Sequence, residues 1–352
     1  MYYIVFSILV LFSCLNMFLK VEKLKIWYFL SFLILLFFAG LRFKVGFDYD
    51  NYNKMANYVA MNQQIFVEPL FWLIIKVTQF ITEEYTFFIF FIALLSVSLK
   101  FKFLLKYSFF PLVSILLYFS RIYLNADFGQ LRQGLALSII LFAYPYLINK
   151  NLLYFSLLVV GASLIHASAI LFYPVYFVAN RSFNRKFIIV LIIIAMFIAT
   201  IDLKVILVQT FQAILPSGLA GKLLFYSTTE EELGITLSVI LRLLMILFSI
   251  TFFWKEIKGD QKIRIIFNIY FYGYIFYLLF NSLPQLGGRG SIYFQQFELL
   301  LFPCLLYLIK DRTVKILFYV FLIFYCYWGI KTTLSSVTSK SSYHFEPYES
   351  IL

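Results

Sequence analysis

Long apolar runs recur from residue 2 to residue 330, and short polar segments separate them. Most of these runs are long enough to cross a bilayer as helices, because about 20 apolar residues span its hydrocarbon core. The pattern therefore predicts an all-α polytopic membrane protein with about twelve transmembrane helices. The predicted spans are 2–19, 26–41, 85–99, 108–124, 134–148, 152–165, 167–179, 187–203, 236–254, 264–283, 296–309 and 314–330.

The composition agrees with this pattern. Of the 352 residues, 63% are hydrophobic and 13% are charged, and the mean hydropathy is +0.90. A soluble protein of this length needs more polar side chains to cover its surface. We therefore expect residues 1–352 to form a single integral membrane domain.

The net charge of +12 would suggest a nucleic-acid partner in a soluble protein. Here we expect no nucleic acid, because Lys and Arg crowd short loops between apolar runs, as the positive-inside rule requires. The clusters fall on the cytoplasmic side if both termini and the whole of 42–84 lie outside. These clusters are at 20–25, 100–106, 150, 181–186, 255–264 and 310–315.

This topology predicts that the apolar stretch 66–81 is re-entrant or lies on the membrane surface. Its Glu68, Pro69 and Lys76 fit a lipid-facing span poorly. The alternative, a true crossing at 66–81, would place the lysines at 100–106 outside. The predicted outer-face segments are the loops 42–84, 125–133, 204–234 and 284–295 and the tail 331–352. The Glu230-Glu231-Glu232 run in the third loop is interpreted as a solvated face or a helix start.

The first candidate site follows the second span. Arg42 ends that helix, and its rigid fork of donors suits phosphate oxygens. Asp48 or Asp50 could orient the arginine or accept a proton from a hydroxyl. Alternatively, Arg42 reaches to the interface and the two acids cap the next helix.

Two further candidates lie at the predicted outer ends of later helices. Arg132 and Gln133 occupy a first helical turn, where backbone amides and the helix dipole favour an anion. The alternative is an interfacial arginine paired with Asp127. His166 lies between two apolar runs and could act as a general base, because imidazole titrates near neutral pH. A hydrogen-bonded structural histidine is the other interpretation.

The second half of the chain offers two arginines. Arg289 stands among Gly287, Gly288 and Gly290, which permit close backbone approach to an anion. The alternative is a flexible turn with an incidental arginine. Arg242 lies about two turns into its helix, where an unpaired charge is costly, so it should face a cavity or a partner.

Together these residues predict a polar site at the outer membrane face for a diphosphate-like lipid substrate. No nucleotide-binding loop and no metal-ligand spacing of Cys and His accompany it, so we expect neither cofactor nor metal. The predicted catalytic residues are His166, Asp48 and Glu68. The predicted diphosphate ligands are Arg42, Arg132, Arg242 and Arg289, and the predicted supporting residues are Tyr49, Tyr52, Gln133 and Tyr293.

Four segments also resemble a known family. They are GLRFKVGFDYDNY at 40–52, Glu68-Pro69, LRQGLA at 131–136 and IHASA at 165–169. They are similar to the EpsG-type polysaccharide polymerases, relatives of the Wzy O-antigen and capsular polymerases. The resemblance covers about 40 to 180 and returns weakly at GGRGSIYF, 287–294. It thus supports Arg42, Arg132 and His166 more strongly than Arg289.

The resemblance implies a GT-C-like membrane glycosyltransferase in the bacterial inner membrane, with its active site facing the periplasm or outside. Its partners would be undecaprenyl-diphosphate-linked glycan donor and acceptor, membrane lipid and, as a candidate, a chain-length regulator protein. It would polymerise repeat units into O-antigen, capsule or exopolysaccharide without metal and with inversion. The alternatives are an O-antigen ligase or a polyprenyl-phosphate-sugar transferase. A lipid-linked oligosaccharide flippase is less favoured, because transporters typically show internal repeats and charges at mid-membrane.

Overall fold

The computed structural model describes residues 1–19, 21–63, 65–214, 221, 233–335, 345 and 347–351. Within these ranges the regular structure is helical, which confirms the all-α prediction, and the extended backbone forms one isolated bridge, between Arg42 and Ser350. The Glu230-Glu231-Glu232 run and most of the predicted outer tail lie outside the described residues.

Several helices are those of an integral membrane protein. Among the described residues, four are long and apolar enough to span a bilayer, and two further pairs of consecutive helices would raise that number to six. Other apolar helices are shorter, at 10–17 residues. The predicted number of about twelve spans stays a prediction. The four long candidates are Lys23–Gly40, Tyr85–Tyr107, Leu131–Ile148 and Arg312–Ser335.

The chain divides into two compact units, Met1–Tyr173 with Glu298–Leu352, and Pro174–Phe297. The first unit contains a 3₁₀ helix at Ala167–Phe172 and a π-helical turn at Phe119–Tyr123. Its α-helices are α1 Tyr2–Leu15, α2 Val21–Gly40, α3 Tyr49–Ala60, α4 Pro69–Ile81, α5 Tyr85–Tyr107, α6 Pro111–Tyr118, α7 Leu131–Leu141, α8 Tyr144–Ile148, α9 Leu152–Ser163, α17 Glu298–Leu308 and α18 Arg312–Ser335.

The second unit is built around the helix α15, Gln261–Leu279. The amide of Asn268 on α15 donates to the carbonyl oxygens of Ala179 and Arg181, both at 2.8 Å. These bonds satisfy backbone carbonyl groups in the connection between two helices. Its helices are α10 Val175–Val178, α11 Arg185–Ala199, α12 Lys204–Ile214, α13 Leu237–Phe252, α14 Trp254–Gly259, α15 Gln261–Leu279, a π-helical turn at Gln285–Gly290 and α16 Ser291–Gln295.

Lys100 is not a loop residue, so the expectation that it marks a cytoplasmic loop is wrong. It lies within α5 with a fully buried side chain, and its Nζ is 2.8 Å from Asp127 Oδ1. A buried ammonium needs a partner to offset lost hydration, and Asp127 supplies it. Asp127 thus pairs with Lys100, not with Arg132. Lys102 and Lys106 also lie within α5, but both are exposed, so at this position only these two lysines can follow the positive-inside rule.

The apolar stretch 66–81 forms the helix α4, which starts at Pro69 and is too short to be counted among the long spans. Pro at the first helical position lacks only an amide that would have no intrahelical partner. Gln79 on α4 donates to the carbonyl oxygen of Ala56 on α3 at 2.7 Å. The helices α3 and α4 therefore pack as a pair, and whether α4 is re-entrant stays a prediction.

The end of the chain folds back on the segment that follows α2. Phe43 N donates to the carbonyl oxygen of Glu349 and Ile351 N to that of Leu41, both at 3.0 Å. The hydroxyl of Tyr2 donates to the carbonyl oxygen of Phe345 at 2.7 Å. Both ends of the described chain thus lie beside the end of α2, as a topology with both termini on one side requires.

Candidate functional site

An ion pair between Arg132 and Glu68 is at the centre of the candidate site. Arg132 is the second residue of α7, and its Nη1 lies 2.6 Å from Oε2 of Glu68, the residue before α4. Charge-assisted hydrogen bonds of this length are strong. The pair joins the start of one helix to the start of another, although the two residues are 64 positions apart.

His166 and Ala167 approach the other carboxylate oxygen of Glu68. The Nδ1 of His166 lies 3.7 Å from Oε1, and the backbone amide of Ala167 donates to the same oxygen at 3.3 Å. His166 precedes the 3₁₀ helix Ala167–Phe172. Glu68 therefore contacts both a fixed cation and a titratable base.

The local sequence positions Glu68. Because Pro69 follows it, Glu68 is restricted to extended backbone and has φ −62° and ψ 141°. The amide of Leu70 then donates to the carbonyl oxygen of Leu164 at 3.0 Å. This bond holds the start of α4 against the segment that carries His166.

Glu68 remains ionised in this setting. Burial by itself would raise the pKa of its carboxyl group, but the neighbouring His166 and the charge of Arg132 lower it to about 2. At neutral pH the carboxylate is thus fixed as an anion beside the imidazole. It can stabilise an imidazolium but is too weak a base to take a proton from a sugar hydroxyl.

Tyr52 closes one side of this cluster. The backbone amide of Arg132 donates to its hydroxyl oxygen at 3.3 Å, and the guanidinium carbon lies 5.9 Å from the ring centroid. The Nε of Arg132 has no hydrogen-bond partner in the part of the chain that the structure describes. That nitrogen is itself buried, but the side chain as a whole is 24% exposed, so the terminal guanidinium nitrogens could still bind an anion.

The cluster is partly open. The side chains of Arg132, His166 and Glu68 are 24%, 18% and 9% exposed. A fully buried ion pair would have no access for a ligand, whereas these side chains can be reached.

A second, closed network supports the loop before α7. The Nζ of Lys100 also donates to Ser138 Oγ and to the carbonyl oxygen of Gly134, and the hydroxyl of Tyr118 donates to Asp127 Oδ2 at 2.8 Å. A Cβ on Gly134 would lie 2.9 Å from Asp127 Oδ1, so glycine is required for this close approach. The network fixes the turn from which Arg132 projects.

Arg42, predicted to bind diphosphate, is 1% exposed. Its Nη1 donates to the carbonyl oxygen of Ala39 at 2.6 Å and its Nε to that of Val45 at 3.2 Å. Its guanidinium lies 4.8 Å from the ring centroid of Phe128. In this arrangement Arg42 is closed to solvent and holds together the segment after α2.

The remaining predicted residues of the first unit are near the cluster on the chain or in space. Asp48 precedes α3 and accepts a hydrogen bond from Asn51 at 3.2 Å, one helical turn before Tyr52. Tyr49 is buried, and its carbonyl oxygen accepts from the hydroxyl of Tyr85. Gln133 is buried beside Arg132 in the chain.

The other predicted residues belong to the second unit. Arg289 lies in the π-helical turn Gln285–Gly290, and Tyr293 is buried in α16. Arg242 lies within α13 and interacts electrostatically with Tyr274 and Tyr277 of α15. Arg42, Arg132, Asp48, Glu68 and His166 all belong to the first unit.

A buried ion pair between Arg121 and Glu298 was not predicted from the sequence. Arg121 Nε lies 3.5 Å from Glu298 Oε1, and Tyr325 donates to Glu298 Oε2 at 2.8 Å. The guanidinium of Arg121 also lies 4.4 Å from the Tyr325 ring centroid. An arginine inside the apolar run 108–124 was the available signal, because such a charge needs a partner.

The chain as a whole is similar to known proteins of one family. The profile of the EpsG family matches residues 25–350. The chain is 26% identical over 332 residues to the amylovoran biosynthesis protein AmsC of Erwinia amylovora, a match that covers 89% of this chain and 87% of that protein. No solved structure matches the chain significantly. Because the family profile covers nearly the whole chain, including every segment of the site described above, the protein belongs to the EpsG family.

Proposed function

We propose that the protein is a membrane glycosyltransferase that polymerises undecaprenyl-diphosphate-linked oligosaccharide repeat units into an extracellular polysaccharide. The reaction takes place at the outer face of the bacterial inner membrane, within a single integral membrane domain of GT-C-like architecture. The observation that carries this proposal is the partly open cluster of Arg132, Glu68 and His166. Membership in the EpsG family supports the polymerase class, and the relative's name assigns that protein to amylovoran biosynthesis.

Arg132 is suited to hold the donor diphosphate. Its guanidinium keeps donors beyond the bond to Glu68, and it starts a helix whose amides favour an anion. As the glycosidic carbon–oxygen bond breaks, negative charge grows on the leaving diphosphate. A positioned arginine lowers the barrier because it binds that charge more tightly in the transition state.

His166 is suited to act as the base. The acceptor hydroxyl oxygen forms the new bond to the anomeric carbon, its proton passes to the imidazole, and undecaprenyl diphosphate leaves. The ionised Glu68 stabilises the imidazolium that results. Asp48, one turn before Tyr52 on α3, is the second candidate base. A single displacement of this kind inverts the anomeric configuration, and the diphosphate leaves without needing an acid.

Different roles are proposed for the other arginines. Arg42 stabilises the segment that follows α2, because its guanidinium already donates to backbone carbonyl oxygens there. Arg289, in its glycine-containing turn, remains a candidate diphosphate ligand with Tyr293 in support. Arg242 remains a further candidate diphosphate ligand. The proposed partners are the lipid-linked donor and acceptor, membrane lipid and a chain-length regulator protein.

The test is complementation of a strain that lacks the gene. R132A, H166A and E68Q are expressed at equal membrane abundance, and polysaccharide ladders and lipid-linked intermediates are measured. R132A and H166A should lose the long ladder and accumulate single repeat units, whereas the control R312A, an exposed arginine at the start of α18, should keep it.

Other outcomes would decide against the proposal. Normal ladders from both R132A and H166A would contradict the assigned chemistry. A final acceptor that carries no repeat unit at all would indicate a ligase, since loss of polymerisation alone leaves one unit attached. Failure of repeat units to reach the outer face would indicate a transporter.

A further inference from the structure

A polar stripe runs along α4 away from the catalytic cluster. It starts at Glu68 and continues through Trp72, Lys76 and Gln79, at spacings that place these residues on one side of a helix. The adjacent side, with Phe71 and Ile75, is fully buried. The stripe therefore follows the accessible surface of α4.

The far end of this stripe borders a cleft of about 440 Å³. The helices α3 and α4 and the start of α5 form its walls. Its polar side chains include Asn57, Lys76, Gln79, Glu83 and Glu84, and its aromatic side chains are Phe80, Tyr85 and Phe88.

The polar groups keep hydrogen-bonding capacity for a ligand. Lys76 uses one donor on Asn62 Oδ1 at 2.8 Å, and Gln79 donates its amide hydrogen to the Ala56 carbonyl oxygen at 2.7 Å. The amide oxygen of Gln79 and the other ammonium hydrogens of Lys76 remain available. Among the described residues, Glu83 and Glu84 form no ion pair. The cleft therefore offers both donors and acceptors.

The chemistry of this set fits a carbohydrate. Sugar hydroxyls donate and accept hydrogen bonds at once, so they match amides, an ammonium and carboxylates together. Two carboxylates disfavour a phosphate-bearing ligand. Exposed rings complete the match, because Phe80, which lines the cleft, is 94% exposed, and Trp72, on the stripe that leads to it, is 43% exposed. The C–H faces of a pyranose pack on such rings, whose faces carry partial negative charge.

The cleft is also connected to the catalytic cluster by both helices. Tyr52, which contacts Arg132, and Asn57 are five residues apart on α3, or roughly 7.5 Å along its axis. Gln79 is eleven residues beyond Glu68, or roughly 16 Å along α4. A glycan whose diphosphate is bound by Arg132 can thus extend along the stripe into the cleft.

We propose that this cleft is a glycan subsite, which binds the sugars next to the reacting end of a lipid-linked oligosaccharide. The proposal rests on the function proposed above and names where that substrate's sugar chain lies. Trp72 and Gln79 are then binding residues and take no part in proton transfer.

Direct binding is tested on the full-length protein in lipid nanodiscs. The probe is the repeat-unit oligosaccharide released from its lipid carrier by mild acid, and affinity is measured by calorimetry. W72A and the double variant Q79A/E83Q should bind roughly tenfold more weakly, as expected for the loss of one aromatic contact or a pair of hydrogen bonds. L73A, the loss of an exposed neighbour that lies off the stripe, should bind as the wild type does.

Activity separates this proposal from the previous one. W72A should raise KM and leave kcat nearly unchanged, whereas R132A should abolish transfer and still bind the free oligosaccharide. Wild-type affinity in both W72A and Q79A/E83Q, or no binding by an active wild type, would overturn the glycan subsite. Binding that depends on the cleft in a protein that makes no polymer would retain the subsite and overturn the polymerase.

Discussion

Arg132 Nη1 lies 2.6 Å from Glu68 Oε2, so the start of α7 and the start of α4 are joined by one charge-assisted hydrogen bond. The other oxygen of Glu68 is near His166. A single carboxylate therefore connects three segments that are far apart in the sequence. It also fixes the charge state around the imidazole, because it stays ionised in the folded protein.

The pH dependence of stability should report on Glu68. Its pKa falls from an ordinary value of 4.5 to about 2, so its stabilising contribution is fully present above about 4.5 and is lost as the pH falls through about 2. At pH 5 the thermal unfolding midpoint of the wild type should exceed that of E68Q. That difference should shrink at lower pH. E256Q, at a carboxyl group in α14, is the control, and a difference that fails to shrink as the pH falls below about 4.5 would contradict the assignment.

The buried pair of Lys100 and Asp127 should show strong energetic coupling. Removal of one partner leaves an uncompensated charge in an apolar interior, which costs roughly 3–5 kcal/mol. K100M and D127L should each lower the thermal unfolding midpoint sharply. The double variant K100M/D127L should be more stable than either single variant, because neither charge remains. Equal and additive losses in a double-mutant cycle would show that the two side chains do not interact.

Gly134 should be intolerant of a side chain. A Cβ there would lie 2.9 Å from Asp127 Oδ1 and 3.0 Å from the Ala126 backbone, so G134A should cost about 1–3 kcal/mol and displace the turn that positions Arg132. Unfolding midpoint and transfer activity should both fall. A Cβ on Gly161, in the helix α9, would meet no atom within 4 Å, and G161A should be neutral or slightly stabilising. Equal behaviour of the two variants would rule out the steric explanation.

Arg42 should act through stability. R42M leaves the carbonyl oxygens of Ala39 and Val45 without their donors, which costs about 1–3 kcal/mol for each buried acceptor. The variant should show a lower unfolding midpoint and faster proteolysis near residues 345–351, while the protein that remains folded keeps its KM. K54A, at an exposed lysine on α3, is the control. A large KM increase in a fully stable R42M would instead indicate direct substrate contact.

The sequence by itself determined the helical membrane character, because apolar runs of that length are stable only as helices in lipid. It also singled out Arg132, Glu68 and His166, since polar residues at the ends of apolar runs are few and their chemistry is distinctive. The family resemblance on residues 40–180 agreed with the family later found across most of the chain.

Only the tertiary structure decided which polar groups meet. The local pattern of the sequence cannot tell that Asp127 pairs with Lys100 or that Glu68 pairs with Arg132. The partners are 27 positions apart in the first pair and 64 in the second. Nor can it tell that Arg42 is enclosed by the returning chain end, or that Lys100 lies inside a helix instead of marking a loop. Charge and hydrophobic periodicity are local properties of the sequence, whereas the burial and ion pairing of side chains depend on which helices pack together.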